Sequence, residues 1–194
     1  IKLEHRVPLA NEGWELYQPP LYYWLASWLP SLKIDQYLGL VSWLLLVGVS
    51  YFFWQTFFDK SLARIGCLLL AAIPVINYMV PTISNELLAN VLIMILMMLF
   101  LMWQNQSKLN WSKICGLGLL GGLVILSKAT GLLIVAVIGV SFLIESKISW
   151  SIKIRQSILF YASAFLVGGW FYVRNWLTFG NPIAASADFI PLSS

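Results

Sequence analysis

The chain has 194 residues, 60% of them hydrophobic and only 10% charged, with a mean hydropathy of +0.81. Soluble domains are roughly a quarter charged, so the composition excludes an ordinary soluble fold and points to a membrane protein. The 12 basic residues against 8 acidic ones give a pI near 9.1, an excess that orients loops in such a protein and implies no nucleic-acid partner.

The chain starts at Ile1, with neither an initiator Met nor a basic-then-apolar signal region, and ends on "ADFIPLSS" just as a new segment begins. It is expected to be part of a longer protein, with sequence missing at both ends. The segment 18–29 is too short and too rich in Trp and Tyr to cross a bilayer, and reads as an amphipathic helix lying in the interface. A hydrocarbon core of roughly 30 Å needs about 20 apolar residues as helix. Residues 36–57, 62–80 and 85–103 each supply one such span. The run from Ile114 to Ile144 is too long for one ordinary crossing and is interrupted by "SKATG", Ser127 to Gly131. It is therefore split into two short helices meeting there. A further span covers 156–176, and 177–194 opens a later loop. The expected fold is all-α: a polytopic transmembrane helical bundle of about six spans, with 1–194 forming part of one domain.

Alternating crossings put the connectors 58–61, 104–113 and 145–155 on one side. With their flanks they hold Lys60, Arg64, Lys108, Lys113, Lys147, Lys153 and Arg155, seven of the twelve basic residues. The positive-inside rule makes that side cytoplasmic. The other side receives the N-terminal segment, "VPTISNE", "SKATG" and "VRNWLTFGNP", and there ionisable residues stand close to apolar runs. Such residues cost a few kcal/mol at membrane depth and usually face a cavity or a partner. Lys128 is either a snorkelling side chain at a helix end or a cation at a cavity floor, where it neutralises a phosphate or pairs with Glu86. Arg174 is either an interface anchor among its Trp neighbours or a fork for two anionic oxygens. Glu86 is either a first-turn acid favoured by the helix dipole, with Ser84 or Asn85 as cap, or part of the same cavity.

Other signals are set aside. "GLGLLG", Gly116 to Gly121, has dinucleotide-site spacing but lies in a membrane helix, where Gly118 and Gly122 give a close packing face instead. The sequons at 105–107 and 110–112 fall on the cytoplasmic side. Met94, Met97, Met98 and Met102 are packing or lipid-facing material, and Cys67 and Cys115 are small core residues. His5 is the only histidine, which argues against an all-protein zinc site.

Four stretches share a wider pattern. "HRVPLANEGWELYQPPLYYWLASWL" resembles the end of the first extracytoplasmic loop of GT-C glycosyltransferases, in the branch of protein O-mannosyltransferases and bacterial aminoarabinose lipid A transferases. "PTISNELLANVL" is similar to that branch's Ser-Asn-Asp/Glu pattern opening a helix after a Pro. "GLLGGLVILSKATGLL" resembles its Gly-rich helix closing on a Thr/Ser-Lys-x-Thr-Gly turn, and "GGWFYVRNWLTFGNP" its Trp-Tyr-x-Arg-Asn element. The four occur in the family's order over nearly the whole chain.

The resemblance implies an inverting membrane glycosyltransferase. Its donor would be a sugar on a polyprenyl phosphate at the extracytoplasmic surface, and its acceptor a protein, lipid or glycan hydroxyl. The membrane would be the plasma membrane of a prokaryote. The general base would be an aspartate of an acidic motif upstream of Ile1; Glu12 and Glu15 are not promoted to that role. Lys128 and Arg174 match positions associated with the lipid phosphate. Glu86 matches an acidic position that orients the lysine, one methylene longer than the commoner Asp. Asn85, Gln18, Tyr22 and Asn175 are expected to line or support the same cavity. No metal ligands are assigned, and a divalent-ion requirement stays open. Such chemistry needs cations where the phosphate leaves and one carboxylate at the acceptor. A transporter or flippase would instead place charges near the midplane and repeat internally, and neither sign is present. A non-catalytic relative differs only in lacking the carboxylate.

Overall fold

A computed structural model describes residues 18–28, 32–82, 84–104, 110–144 and 149–183. Among them the chain is helical: α1 (Leu21–Ser27), α2 (Leu32–Gln55), α3 (Lys60–Ala72), α4 (Pro74–Met79), α5 (Glu86–Gln104), α6 (Trp111–Ser127), α7 (Gly131–Ile144) and α8 (Trp150–Phe179). Three stretches are long and apolar enough to cross a membrane, Gln36–Gln55, Glu86–Gln104 and Trp150–Phe179, while α6 and α7 are shorter apolar helices. Leu68, Leu133, Leu166 and Leu177 stand exposed on the outside, the side-chain chemistry a lipid environment accepts.

The elements follow from local sequence. Asp59 caps α3, its carboxylate accepting from the Ser61 and Leu62 amides at 2.8 and 2.9 Å. The expected span 62–80 is interrupted. Pro74 has no amide hydrogen and forces Ile73 into extended backbone (φ −65°, ψ 116°), so α3 stops and α4 restarts with proline in its first turn. The Asn77 side chain donates to the freed Ala71 carbonyl at 2.9 Å, which keeps the break satisfied. The broken pair still runs the length of α2. Cys67 donates to the Val47 carbonyl at 2.9 Å near one end, and the Val80 carbonyl lies against Gly39 near the other. α8 is longer than the expected 156–176. No helix breaker intervenes before Gly180, whose left-handed conformation (φ 70°) closes the helix as its amide donates a hydrogen bond to the Trp176 carbonyl at 2.8 Å.

In lipid, apolar side chains gain little by choosing each other over acyl chains, so helix pairs depend on close packing and hydrogen bonds. The pairing of α6 with α8 meets both needs. A Cβ added to Gly118 would sit 2.5 Å from the Phe160 carbonyl, and one added to Gly122 would sit 2.5 Å from Val167 and 2.8 Å from the Ala164 carbonyl. Rising numbers on α6 face rising numbers on α8, so the two helices are parallel. Higher up, the Tyr172 hydroxyl donates to the Ile125 carbonyl at 2.7 Å. α7 folds back antiparallel to α8, where the Ser157 hydroxyl donates to Gly139 O at 2.9 Å and Tyr161 to Ala136 O at 2.9 Å. One apolar core joins α5, α6, α7 and α8 through Leu96, Leu117, Val124, Ile138 and Phe160, and a smaller one joins α2 to α5 through Leu46, Leu87 and Val91.

Gly122→Leu is expected to lower the unfolding midpoint in detergent by several degrees, since overpacking a filled contact costs about 1–3 kcal/mol. Gly116→Ala, whose new methyl meets nothing within 4 Å, should leave the midpoint unchanged or slightly raised. Matching melting curves for the two variants would remove the glycine face from this account.

Candidate functional site

The start of α5 and the end of α6 meet because the two helices run antiparallel. At that meeting Asn85 sits in the N-cap position of α5, its carbonyl accepting from the Ala89 amide at 3.0 Å. Its side chain does not cap its own helix. It is buried, and its amide donates to the Ser127 carbonyl at 2.8 Å and to Gln18 Oε1 at 3.0 Å. The Ser127 carbonyl belongs to the last turn of α6, where no intrahelical donor follows. Asn85 therefore satisfies the end of one helix from the start of another and ties both to the segment ahead of α1. Tyr23 also reaches Gln18 Oε1, at 3.4 Å.

At Lys128 the chain leaves the helix in extended backbone (φ −157°, ψ 138°), and a turn back into α7 follows, with the Gly131 amide donating to the Lys128 carbonyl at 2.9 Å. The side chain meets Glu86, Nζ to Oε2 at 2.5 Å, with both side chains about 30% exposed. Glu86 is the first residue of α5, where a helix N-terminus favours a carboxylate. Its amide meets the Ser84 hydroxyl oxygen at a long 3.4 Å, a weak cap. The structure thus brings together Glu86, Lys128, Asn85 and Gln18.

The remaining residues singled out in the sequence are placed differently. Tyr22 is 1% exposed, with its ring edge-on to that of Tyr23 at 5.5 Å. Asn175 is fully buried; its amide donates to the Pro182 carbonyl at 3.3 Å, and its Oδ1 has no hydrogen-bond partner among the described residues. Arg174 is exposed. At 3.6 residues per turn it stands about 200° round α8 from Tyr172, whose hydroxyl faces α6. It shares the level of Lys128 at this end of the bundle but leaves α8 on a different flank, and no ion pair joins it to Glu86 among the described residues. Glu12, Glu15 and His5 lie outside the described residues. Among those described, no group of three His, Cys, Asp or Glu side chains gathers as metal ligands.

Two contacts at this end went unread in the sequence. Ser127 contributes a backbone carbonyl, which no side-chain pattern signals. Tyr172 could have been found: it lies one turn before Asn175 and one turn after Gly168, on the buried stripe of α8.

Over residues 17–171 the chain matches the family model described as dolichyl-phosphate-mannose-protein mannosyltransferase, and it belongs to that family. No curated protein and no solved structure matches it. The matched span includes Gln18, Asn85, Glu86 and Lys128 and stops short of Arg174 and Asn175. Family and apolar helices together make the chain an integral membrane protein of glycosyltransferase type.

Asn85→Ala strands the Ser127 carbonyl and should cost about 1 kcal/mol, between the membrane average for hydrogen bonds and the larger penalty of a buried orphan. Asn85→Asp should cost more, because a carboxylate oxygen would replace the donor facing that carbonyl. Thermal unfolding in detergent measures both; an Asp variant as stable as wild type contradicts the bridge.

Proposed function

We propose that this family member transfers a sugar from a polyprenyl-phosphate donor to a protein, lipid or glycan hydroxyl at the extracytoplasmic face of the membrane, in a prokaryotic plasma membrane. The observation that carries the reading is the partly open Lys128–Glu86 pair at the joint of α5, α6 and α7. An ammonium group has three donors. Glu86 takes one, which leaves donors for a phosphate oxygen. The carboxylate fixes where the lysine points. Sequence orientation supports the side: the connectors at the opposite end hold most of the basic residues.

The chemistry follows from the charge that moves. As the bond between the anomeric carbon and the phosphate oxygen breaks, the sugar gains oxocarbenium character and the phosphate gains negative charge. A cation already in place at the phosphate stabilises that change without reorganising. A phosphate leaves without needing a proton, so no general acid is assigned. Inversion requires the acceptor hydroxyl to attack from the opposite face while a carboxylate removes its proton. That base is the family's expected aspartate and is assigned to no residue of this chain. Arg174, level with Lys128, is proposed as a second cation for the phosphate, its planar fork suited to two oxygens. Asn85, Gln18, Tyr22 and Asn175 support this end; the first two hold the Lys128 turn against the chain entering α1.

Lys128→Ala and Arg174→Ala should each lower transfer from a radiolabelled polyprenyl-phosphate sugar by about tenfold to a hundredfold, the loss expected for a hydrogen bond to a charged group. Membrane insertion should be unchanged. Lys128→Ala membranes transferring at the wild-type rate would sink the phosphate assignment. Glu86→Gln should sit between, because it keeps an acceptor for the lysine but removes its countercharge.

A further inference from the structure

α6 ends at Ser127, and the amides that would continue its hydrogen-bond ladder leave with the turn at Lys128. A helix end strands its last carbonyls. The Val124 carbonyl still receives the Lys128 amide at 3.1 Å, but the Ile125 carbonyl would need the amide of Ala129, which lies in the turn. The Tyr172 hydroxyl takes that place, donating to Ile125 O at 2.7 Å from α8. The Ser127 carbonyl is taken by Asn85, at the start of α5, at 2.8 Å. The last turn of α6 is thus gripped from two other helices, on carbonyls three residues and one residue before Lys128.

The hydroxyl is the informative atom. From Phe160 onward, the buried residues of α8 before Tyr172 carry no polar side chain, and a phenylalanine would fill the same space. A buried hydroxyl costs free energy unless it is paired. In an unbroken helix the Ile125 carbonyl would be bonded by its own ladder, and a second donor from α8 would add little. The hydroxyl therefore serves the break at Lys128, so α8 does more there than pack. Tyr172 also lies two residues before Arg174. One hydrogen bond ties the α8 turn that bears Arg174 to the α6 turn that leads into Lys128.

We propose that Tyr172 is a positioning residue for the phosphate site: its hydroxyl holds the end of α6 so that the Lys128 ammonium, met by Glu86, keeps its place when a donor phosphate binds. This role rests on the donor reading above and extends it to a residue of α8 that touches neither phosphate nor sugar. A cation that must not move while charge develops needs its backbone fixed as well as its side chain. Glu86 fixes the side chain, and Asn85 and Tyr172 fix the backbone.

The test uses the full chain with Tyr172→Phe, which keeps the ring and removes the hydroxyl, and it has two readouts. The first needs no donor: the rate at which an amine-reactive reagent labels Lys128, read by peptide mass spectrometry, with the exposed Lys60 of α3 as internal standard. Tyr172→Phe should raise Lys128 labelling by about twofold or more, the mark of a turn that opens more often, and leave Lys60 unchanged. The second readout is transfer from the radiolabelled polyprenyl-phosphate sugar in Tyr172→Phe, in Lys128→Ala and in the double variant. Tyr172→Phe alone should lower kcat/KM by about fivefold, the weight of one hydrogen bond, and should lower it no further once Lys128 is gone. An equal fold-loss in both backgrounds makes the hydroxyl merely structural and overturns the proposal, as does wild-type labelling of Lys128. Lys128→Ala transferring at the wild-type rate overturns the donor reading, and with it the role given to Tyr172; unchanged labelling alone overturns only the role of Tyr172. If Tyr172→Phe does not fold, para-aminophenylalanine at that position takes its place in both readouts. Its aniline N–H donates more weakly than a phenol, so the same changes are expected at smaller size, and wild-type labelling of Lys128 again refutes the positioning.

Discussion

The close parallel contact of α6 with α8 is the constraint on which the other placements depend. Backbone meets backbone at Gly118 and Gly122 because no side chain intervenes, and one register then holds along the whole pair. At one end that register brings Tyr172 to the Ile125 carbonyl, and with it Arg174 to the level of the Lys128 turn. At the other end it sets the start of α8 beside the start of α6. A larger residue at Gly122 would push the helices apart and loosen both ends together. In lipid there is little else to hold them, since apolar surface between helices is no better solvated than apolar surface facing acyl chains.

A second constraint explains what happens where helices stop. Backbone groups at membrane depth need partners, and two interruptions among the described residues each have their own side-chain donor. At Pro74 the donor is Asn77, three residues on in the next helix, reaching the Ala71 carbonyl. At Ser127 it is Asn85, which comes from a different part of the chain. The first break is satisfied locally and only bends the path beside α2. The second is satisfied at long range, so it ties α5, α6 and the segment before α1 to one point. That difference in connectivity is why the second break is built into a charged site and the first is not.

The same difference separates what the sequence made legible from what it did not. Apolar runs, their approximate ends and the interruption at "SKATG" depend on composition along one segment, and they are visible there. So is the glycine face of α6, because spacing by four residues on a helix is a local property. The break at Pro74 is not visible in a hydrophobic count over 62–80, because such a count does not register a missing amide hydrogen. Two opposite charges, Glu86 and Lys128, on one side of alternating spans suggested a pair. The Asn85 bridge was not legible: its acceptor is a backbone carbonyl 42 residues away, and nothing in side-chain pattern encodes a carbonyl. Arg174 shows the limit from the other direction. Its level follows from the sequence, while its flank depends on which stripe of α8 turns toward α6, and only packing decides that.

The Lys128–Glu86 pair makes little sense as a stabilising device. Both side chains are about 30% exposed, so water screens the attraction, and a pair of that kind contributes about 1 kcal/mol or less. Packing alone would be better served by two apolar residues at a helix joint in a membrane protein. The surrounding polar groups are nevertheless arranged to hold the joint still: Asn85 on the carbonyl before Lys128, Gln18 on Asn85, and the helix start beneath Glu86. Effort spent on position, with little returned in stability, is what a site for a charged ligand requires. A fixed cation stabilises charge that develops on a phosphate only if it need not move when the bond breaks. In the proposed reading the buried amide bridge and the half-open ion pair would meet that condition from opposite sides, one holding the backbone of the turn and the other aiming its lysine.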